Sequence, residues 1–154
     1  MAAILKISDD FYEDTFTLIA LHSSLEDFAL AYRLNLFLKS NFKRCRLDLD
    51  ISQNISFPIF EWKNLDTDGY WTLIANHSFT QDNTVQESLF QNEPSYTAHF
   101  LLPEYKDVDY FLKIEEDNVK TEKPIVEAVL KMPEIVTAYS IQTNTIKSIN
   151  NLIY

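Results

Sequence analysis

Glycine is almost missing from this chain: Gly69 is the only one in 154 residues. Phosphate-cradling loops need residues without a Cβ, so a Walker loop, a dinucleotide-binding glycine fingerprint and a nucleophile elbow are all absent in their strong forms. Cysteine is as scarce. Cys45 stands alone, which excludes an internal disulfide framework and an all-cysteine zinc site within one chain. Positive charge is also short, with 13 Lys and Arg against 23 Asp and Glu and a net charge of −10. Nucleic-acid and anionic-membrane affinity rest on cations that neutralise phosphates, so direct binding to either is not expected. No apolar run approaches the roughly 20 residues that span a bilayer. Met1 to Asp10 lacks the basic-then-apolar order of a signal peptide, so a cytoplasmic protein is expected.

What the chain does have is core-forming material. Apolar residues make up 46% and aromatic ones 14%, with eleven Phe, eight Tyr and two Trp to bury, and the length suits one domain over residues 1–154. One local strip, Lys39 to Arg46, runs against the acidic balance. It reads as a helix end followed by the solvent face of a strand.

Periodicity orders the elements. Phe16 to Leu21 is an apolar strand. Ser23-Ser24-Leu25-Glu26 reads as a capping box for a helix with Leu25, Phe28, Ala29, Tyr32 and Leu36 on its buried stripe, ending near Asn41. From Cys45 to Ile51 the period becomes two, predicting a half-buried strand against which the helix packs. Phe57 to Trp62 and Tyr70 to Phe79 read as a hairpin around Gly69, expected at positive φ, with Pro58 at a strand start or edge. Gln81 to Pro94 reads as a long loop, and Tyr96 to Leu102 and Val108 to Ile114 as strands. A second helix starts near Thr121 to Pro124, buries Ile125, Val126, Val129 and Leu130, and stops at Met132-Pro133. Ile135 to Ile141 alternates as a strand, and a tail carries Ile146, Ile149 and Ile153. Strand-helix-strand thus occurs twice, at about 16–51 and 108–141. The expected fold is α+β: a largely antiparallel sheet with two helices on one face, ferredoxin-like with inserted strands. The late segment also resembles, in pattern alone, a small regulatory ligand-binding domain of that architecture.

Chemistry-bearing residues are few. His22, His77 and His99 are scattered, although His77 and His99 fall on strands placed to be neighbours, where a metal shared with an acid is conceivable. No metal or cofactor is expected. Cys45 reads as a buried, inert thiol. The pairs Asp48/Asp50 and Asp107/Asp109 each share a strand face, as paired carboxylates or as solvated edges. Glu115-Glu116-Asp117 reads as a solvated loop.

The remaining motif is Leu102-Pro103-Glu104-Tyr105-Lys106-Asp107-Val108-Asp109-Tyr110. In Pro103, Glu104, Val108, Asp109 and Tyr110, with Leu102 in place of Ile, it resembles the signature of the IPExxxVDY family of small bacterial proteins, as does the order of elements over most of the chain. The resemblance implies no assigned activity. It also implies genes near those for fatty-acid synthesis and ribonuclease III, and the acidic charge then favours a basic, RNA-handling partner over an acidic acyl carrier protein. Two roles for the segment stay open: a corner between strands, or a recognition patch of Glu104, Tyr105, Asp109 and Tyr110. Missing catalytic constellations point to a non-enzymatic interaction or regulatory module with a basic or neutral protein partner, a homodimer being compatible with this. The alternatives are a small-molecule effector domain and an enzyme without a recognisable motif.

Overall fold

A computed structural model describes residues 16–81, 96–116 and 122–154. The strands are β1 (Thr17–Ser23), β2 (Lys43–Arg44), β3 (Leu49–Ser52), β4 (Ile55–Phe57), β5 (Ile59–Asn64), β6 (Gly69–Ala75), β7 (His77–Gln81), β8 (Tyr96–Phe100), β9 (Tyr110–Glu115) and β10 (Ile135–Ile141). The helices are α1 (Asp27–Leu38) and α2 (Glu122–Leu130), and short 3-10 turns cover Pro103–Tyr105, Thr143–Thr145 and Ile149–Leu152. The main sheet has six strands in the order β10-β1-β9-β6-β5-β2, with β3-β4 and β7-β8 as separate two-stranded sheets. Every ladder is antiparallel. The α+β class holds. In β10-β1-β9-β6 the sheet follows the order of a ferredoxin-like sandwich: fourth, first, third and second strand. β5 and β2 extend it, so α1 leads from β1 to the far edge rather than to the next place but one. The loop expected over Gln81 to Pro94, beyond Gln81 itself, and Asp117 and Thr121 lie outside the described residues.

Both faces of the sheet are buried, because successive side chains point to opposite sides. On one face Ile19 and Leu21 of β1, Trp71 and Leu73 of β6, and Tyr110, Leu112 and Ile114 of β9 meet Leu30, Ala31 and Leu34 of α1 and Val129 of α2. On the other, Leu18, Ala20, Ile74 and Phe111 meet Phe57, Leu101, Leu102, Val108, Ile146 and Leu152. Fully burying each Leu or Phe contributes about 1.5–3 kcal/mol before chain entropy is counted. The helices cover one face, and the β3-β4 hairpin, the signature segment and the tail cover the other.

Five local expectations are corrected. The α1 sequence is apolar on nearly every side, and the stripe that turns inward is Leu30, Ala31 and Leu34; Phe28, Tyr32 and Leu36 face outward. The capping box does not form. Glu26 is the N-cap without a side-chain bond, while Ser23 Oγ accepts from Leu25 N (3.2 Å) and donates to Glu134 O (2.9 Å). The helix ends at Leu38, with Lys39 in the left-handed region at φ 55°. The strand expected from Cys45 to Ile51 is broken after Arg44: the Arg44 guanidinium folds back onto Cys45 O and pairs with Asp48, so 45–48 form a loop with Leu47 in solvent. Finally, positive φ falls on Asp68 (53°), not on Gly69. The space at Gly69 is taken up by another group: a Cβ there would meet the Glu116 side chain, which would have to move.

Candidate functional site

The signature segment is organised by a residue outside it. Asn76, fully buried between β6 and β7, spends every polar atom on this corner. Its Nδ2 donates to Tyr105 O and Val108 O, both at 2.8 Å, and its Oδ1 accepts from Leu102 N at 3.0 Å. Its backbone N donates to Asp109 O, and its O accepts from Leu101 N, each at 3.0 Å. An amide side chain offers both donors and an acceptor, which suits it to satisfying carbonyls and an amide of a buried turn at once. Sequence reasoning missed it. The signal was a lone Asn inside the apolar run from Tyr70 to Phe79, where the strand changes course.

Around Asn76 the signature residues divide into anchors and clamps. Leu102 and Val108 are buried against Phe57, Phe111 and Ile74. Pro103 opens the 3-10 turn. Glu104 reaches the tail, accepting from Ser148 N (3.0 Å) and Ser148 Oγ (2.9 Å). Burial pushes the Glu104 carboxyl up, but these bonds, with Lys147 nearby, outweigh it and hold the net value below the ordinary one. Asp109 Oδ2 accepts from Ser23 N at 2.9 Å, where β1 gives way to α1. Tyr110 crosses to the helix face, and its hydroxyl donates to Leu25 O at 2.6 Å. Burial, then the charges of Asp27, Asp109 and Glu26, push that phenol up to about 12. Lys106 and Asp107, in the variable part of the motif, are exposed, as are Pro103 and Glu104, while Tyr105 and Asp109 are half-buried.

The other candidate groups do not converge. His77 and His99 do sit on paired strands, β7 and β8, but His77 is opposite Phe100 and His99 opposite Ser78. His77 Nε2 lies 3.1 Å from Val108 O, His99 Nε2 lies 2.9 Å from Thr80 Oγ1, and His22 Nε2 lies 3.1 Å from the Tyr139 hydroxyl. Among the described residues no group of three or more His, Cys, Asp or Glu is placed to hold a metal ion. Cys45 is half-buried rather than buried; burial and then Glu61 raise its thiol pKa, against the pull of Arg44. The Asp48 carboxylate is tied to Arg44 and accepts from Ser56 Oγ (3.5 Å), while Asp50 stands opposite Ser56 in the β3-β4 ladder. Nor is Glu116 merely solvated: it accepts from Trp71 Nε1 (2.6 Å) and Thr67 Oγ1 (2.9 Å). Lys113, another buried group, donates to Leu152 O (2.5 Å) between the rings of Phe16 and Tyr154. Burial lowers its pKa, against the pull of Glu115.

Two exposed apolar features lie at α1. Along α1, Phe28, Tyr32 and Leu36 are 64%, 62% and 58% exposed and lie four residues apart in one row. Beside the end of α1 a cleft of about 290 Å³ is walled by Leu38, Trp62, Trp71, Pro124, Ile125 and Ala128, with Glu116 at its margin. Among the described residues no helix is long and apolar enough to cross a membrane. Comparison with known protein families, with curated proteins and with solved structures finds no match for this chain.

Proposed function

We propose that this chain is a non-enzymatic interaction module of the cytoplasm, that its binding face is the outer side of α1, and that its partner is a neutral or basic protein. The observation that supports it is the row Phe28, Tyr32 and Leu36, large apolar side chains left in water beside a core that is already filled. Aromatic residues in such a row are what the centres of protein interfaces are made of. The rim sets the sign of the partner. Glu26 and Asp27 stand at the head of the row, and Arg33, the cation on the helix itself, is committed to Glu134 at 2.7 Å. With a net charge of −10 behind it, this face attracts a basic partner and repels an acidic one. The resemblance to the IPExxxVDY family belongs to the same proposal, and with it a basic, RNA-handling partner. A photoreactive residue in place of Tyr32, activated in living cells, tests this directly. One dominant crosslinked protein of neutral or basic charge is expected, and Tyr32→Glu should release it without changing the unfolding midpoint. No crosslink above that from an exposed control at Asp66, or an acidic partner, would count against the proposal.

A second reading has its own observation, the cleft at Trp62 and Trp71. A small-molecule effector with an apolar body would fit between these indoles and Ile125. Indole fluorescence reports on it: titration with amino acids, nucleotides and acyl metabolites should quench or shift emission for one class, and a parallel rise in melting temperature is expected. Silence across the panel would remove this reading and leave the first untouched.

A further inference from the structure

The two edges of the main sheet are built differently. At one end β2 is two residues long, and both, Lys43 and Arg44, are exposed cations, a common defence against pairing with a foreign strand. At the other end β10 runs seven residues, and among the described residues β1 is the one strand hydrogen-bonded to it. It holds no charged residue and no proline. A register shift opposite Ser23 makes its start irregular, but Thr137 to Ile141 match His22 back to Leu18 residue by residue. Among the described residues, a regular, uncharged strand edge therefore stands open on a chain whose net charge is −10.

We propose that β10 pairs antiparallel with β10 of a second copy of this chain, about a two-fold axis at Tyr139, so that one sheet runs through both subunits. The pairing is self-complementary. Thr137 meets Ile141 of the partner subunit, Ala138 meets Ser140 of the partner subunit, and Tyr139 meets the partner's Tyr139, with no like charges opposed. Local charge permits this occupant. The strand offers a cationic partner no acid to recognise, and although the net charges of two copies repel, the pairing sets no acid against acid across the edge itself. Apolar area flanks the strand: Val136 is 78% exposed, and α2, packed over β10, carries half-exposed Leu130. A stable interface needs on the order of 1,000 Å², more than strand pairing alone supplies, and these side chains add to it. Because β2 guards the other edge, the assembly closes at two copies instead of growing into a filament.

This dimer is independent of the α1 face. Sedimentation velocity over a range of concentrations is the test, joined to amide hydrogen exchange. Wild type should reach twice the chain mass at high micromolar concentration, and exchange across 137–141 should slow as concentration rises. Ser140→Lys, at an exposed position of β10, should abolish the dimer at an unchanged melting temperature, while Tyr32→Glu should keep it. A monomer at every concentration, a dimer that survives Ser140→Lys, or a dimer with concentration-independent exchange at β10 would overturn the proposal. Should Ser140→Lys fail to fold, the wild-type exchange result decides.

Discussion

At the scale of single residues, two side chains do work that their type alone does not announce. Removing the Asn76 side chain orphans Leu102 N, while Tyr105 O keeps the bond from Val108 N (3.1 Å) and Val108 O keeps His77 Nε2 (3.1 Å). One orphaned buried group costs about 1–3 kcal/mol. Asn76→Ala is therefore expected to lose about 2–3 kcal/mol by urea denaturation, although no charge or large apolar group is removed. Gly69 is the second. Gly69→Ala has to push Glu116 off Trp71 Nε1 and Thr67 Oγ1, and the expected readout is a change in indole emission with a fall in melting temperature. Glu104 gives a pH prediction. Its folded pKa is lowered, so its contribution to stability is complete above the ordinary carboxylate range and is lost as pH falls through the folded value. Melting temperature should drop on acidification more steeply for wild type than for Glu104→Gln, and equal slopes would assign the acid sensitivity to other groups.

Elements were legible in the sequence where the pattern admitted one solution. Ile135–Ile141 was read with the observed bounds because its alternation is bracketed by Pro133 and a polar tail. α1 was located, but its inward face was not, because Phe28, Tyr32 and Leu36 and the buried Leu30, Ala31 and Leu34 are both spaced at three and four. Only the sheet beneath decides between them, by matching Leu30 and Leu34 to Ile19, Leu21 and Leu112. The broken strand after Arg44 has a similar cause: alternation from Cys45 to Ile51 was real, and a local guanidinium contact overrode it. The signature motif was visible as a motif, but its support was not, since Asn76 lies 26 residues before Leu102 along the chain. Two substitutions sort this element into its parts. Val108→Ala, at a buried anchor, should cost about 2 kcal/mol. Lys106→Ala, on the exposed turn, should stay within about 0.5 kcal/mol. Equal effects in urea unfolding would contradict the division into anchors and exposed turn.

For the whole molecule, the corner ties together parts that the main sheet alone does not join. Asn76 holds the turn, Glu104 reaches Ser148 in the tail, Asp109 holds the end of β1, and Tyr110 projects from the helix-facing side of β9 to Leu25 before α1. Glu104, Asp109 and Tyr110 thus each place a polar atom on a contact within the protein, and the proposed binding surfaces are the row on α1 and the edge at β10. The sequence carried the class of fold through its alternations and amphipathic helices. It did not carry how far apart β1 and β2 end up, because strand order depends on contacts between segments remote in sequence. The most direct test of this account is urea unfolding of Tyr110→Ala. Loss of a buried aromatic that also satisfies Leu25 O should reduce the unfolding free energy by about 3–5 kcal/mol, a large share of the roughly 5–15 kcal/mol that holds a domain together. A Tyr110→Ala protein as stable as wild type would contradict the account and return the signature to the surface as a recognition patch.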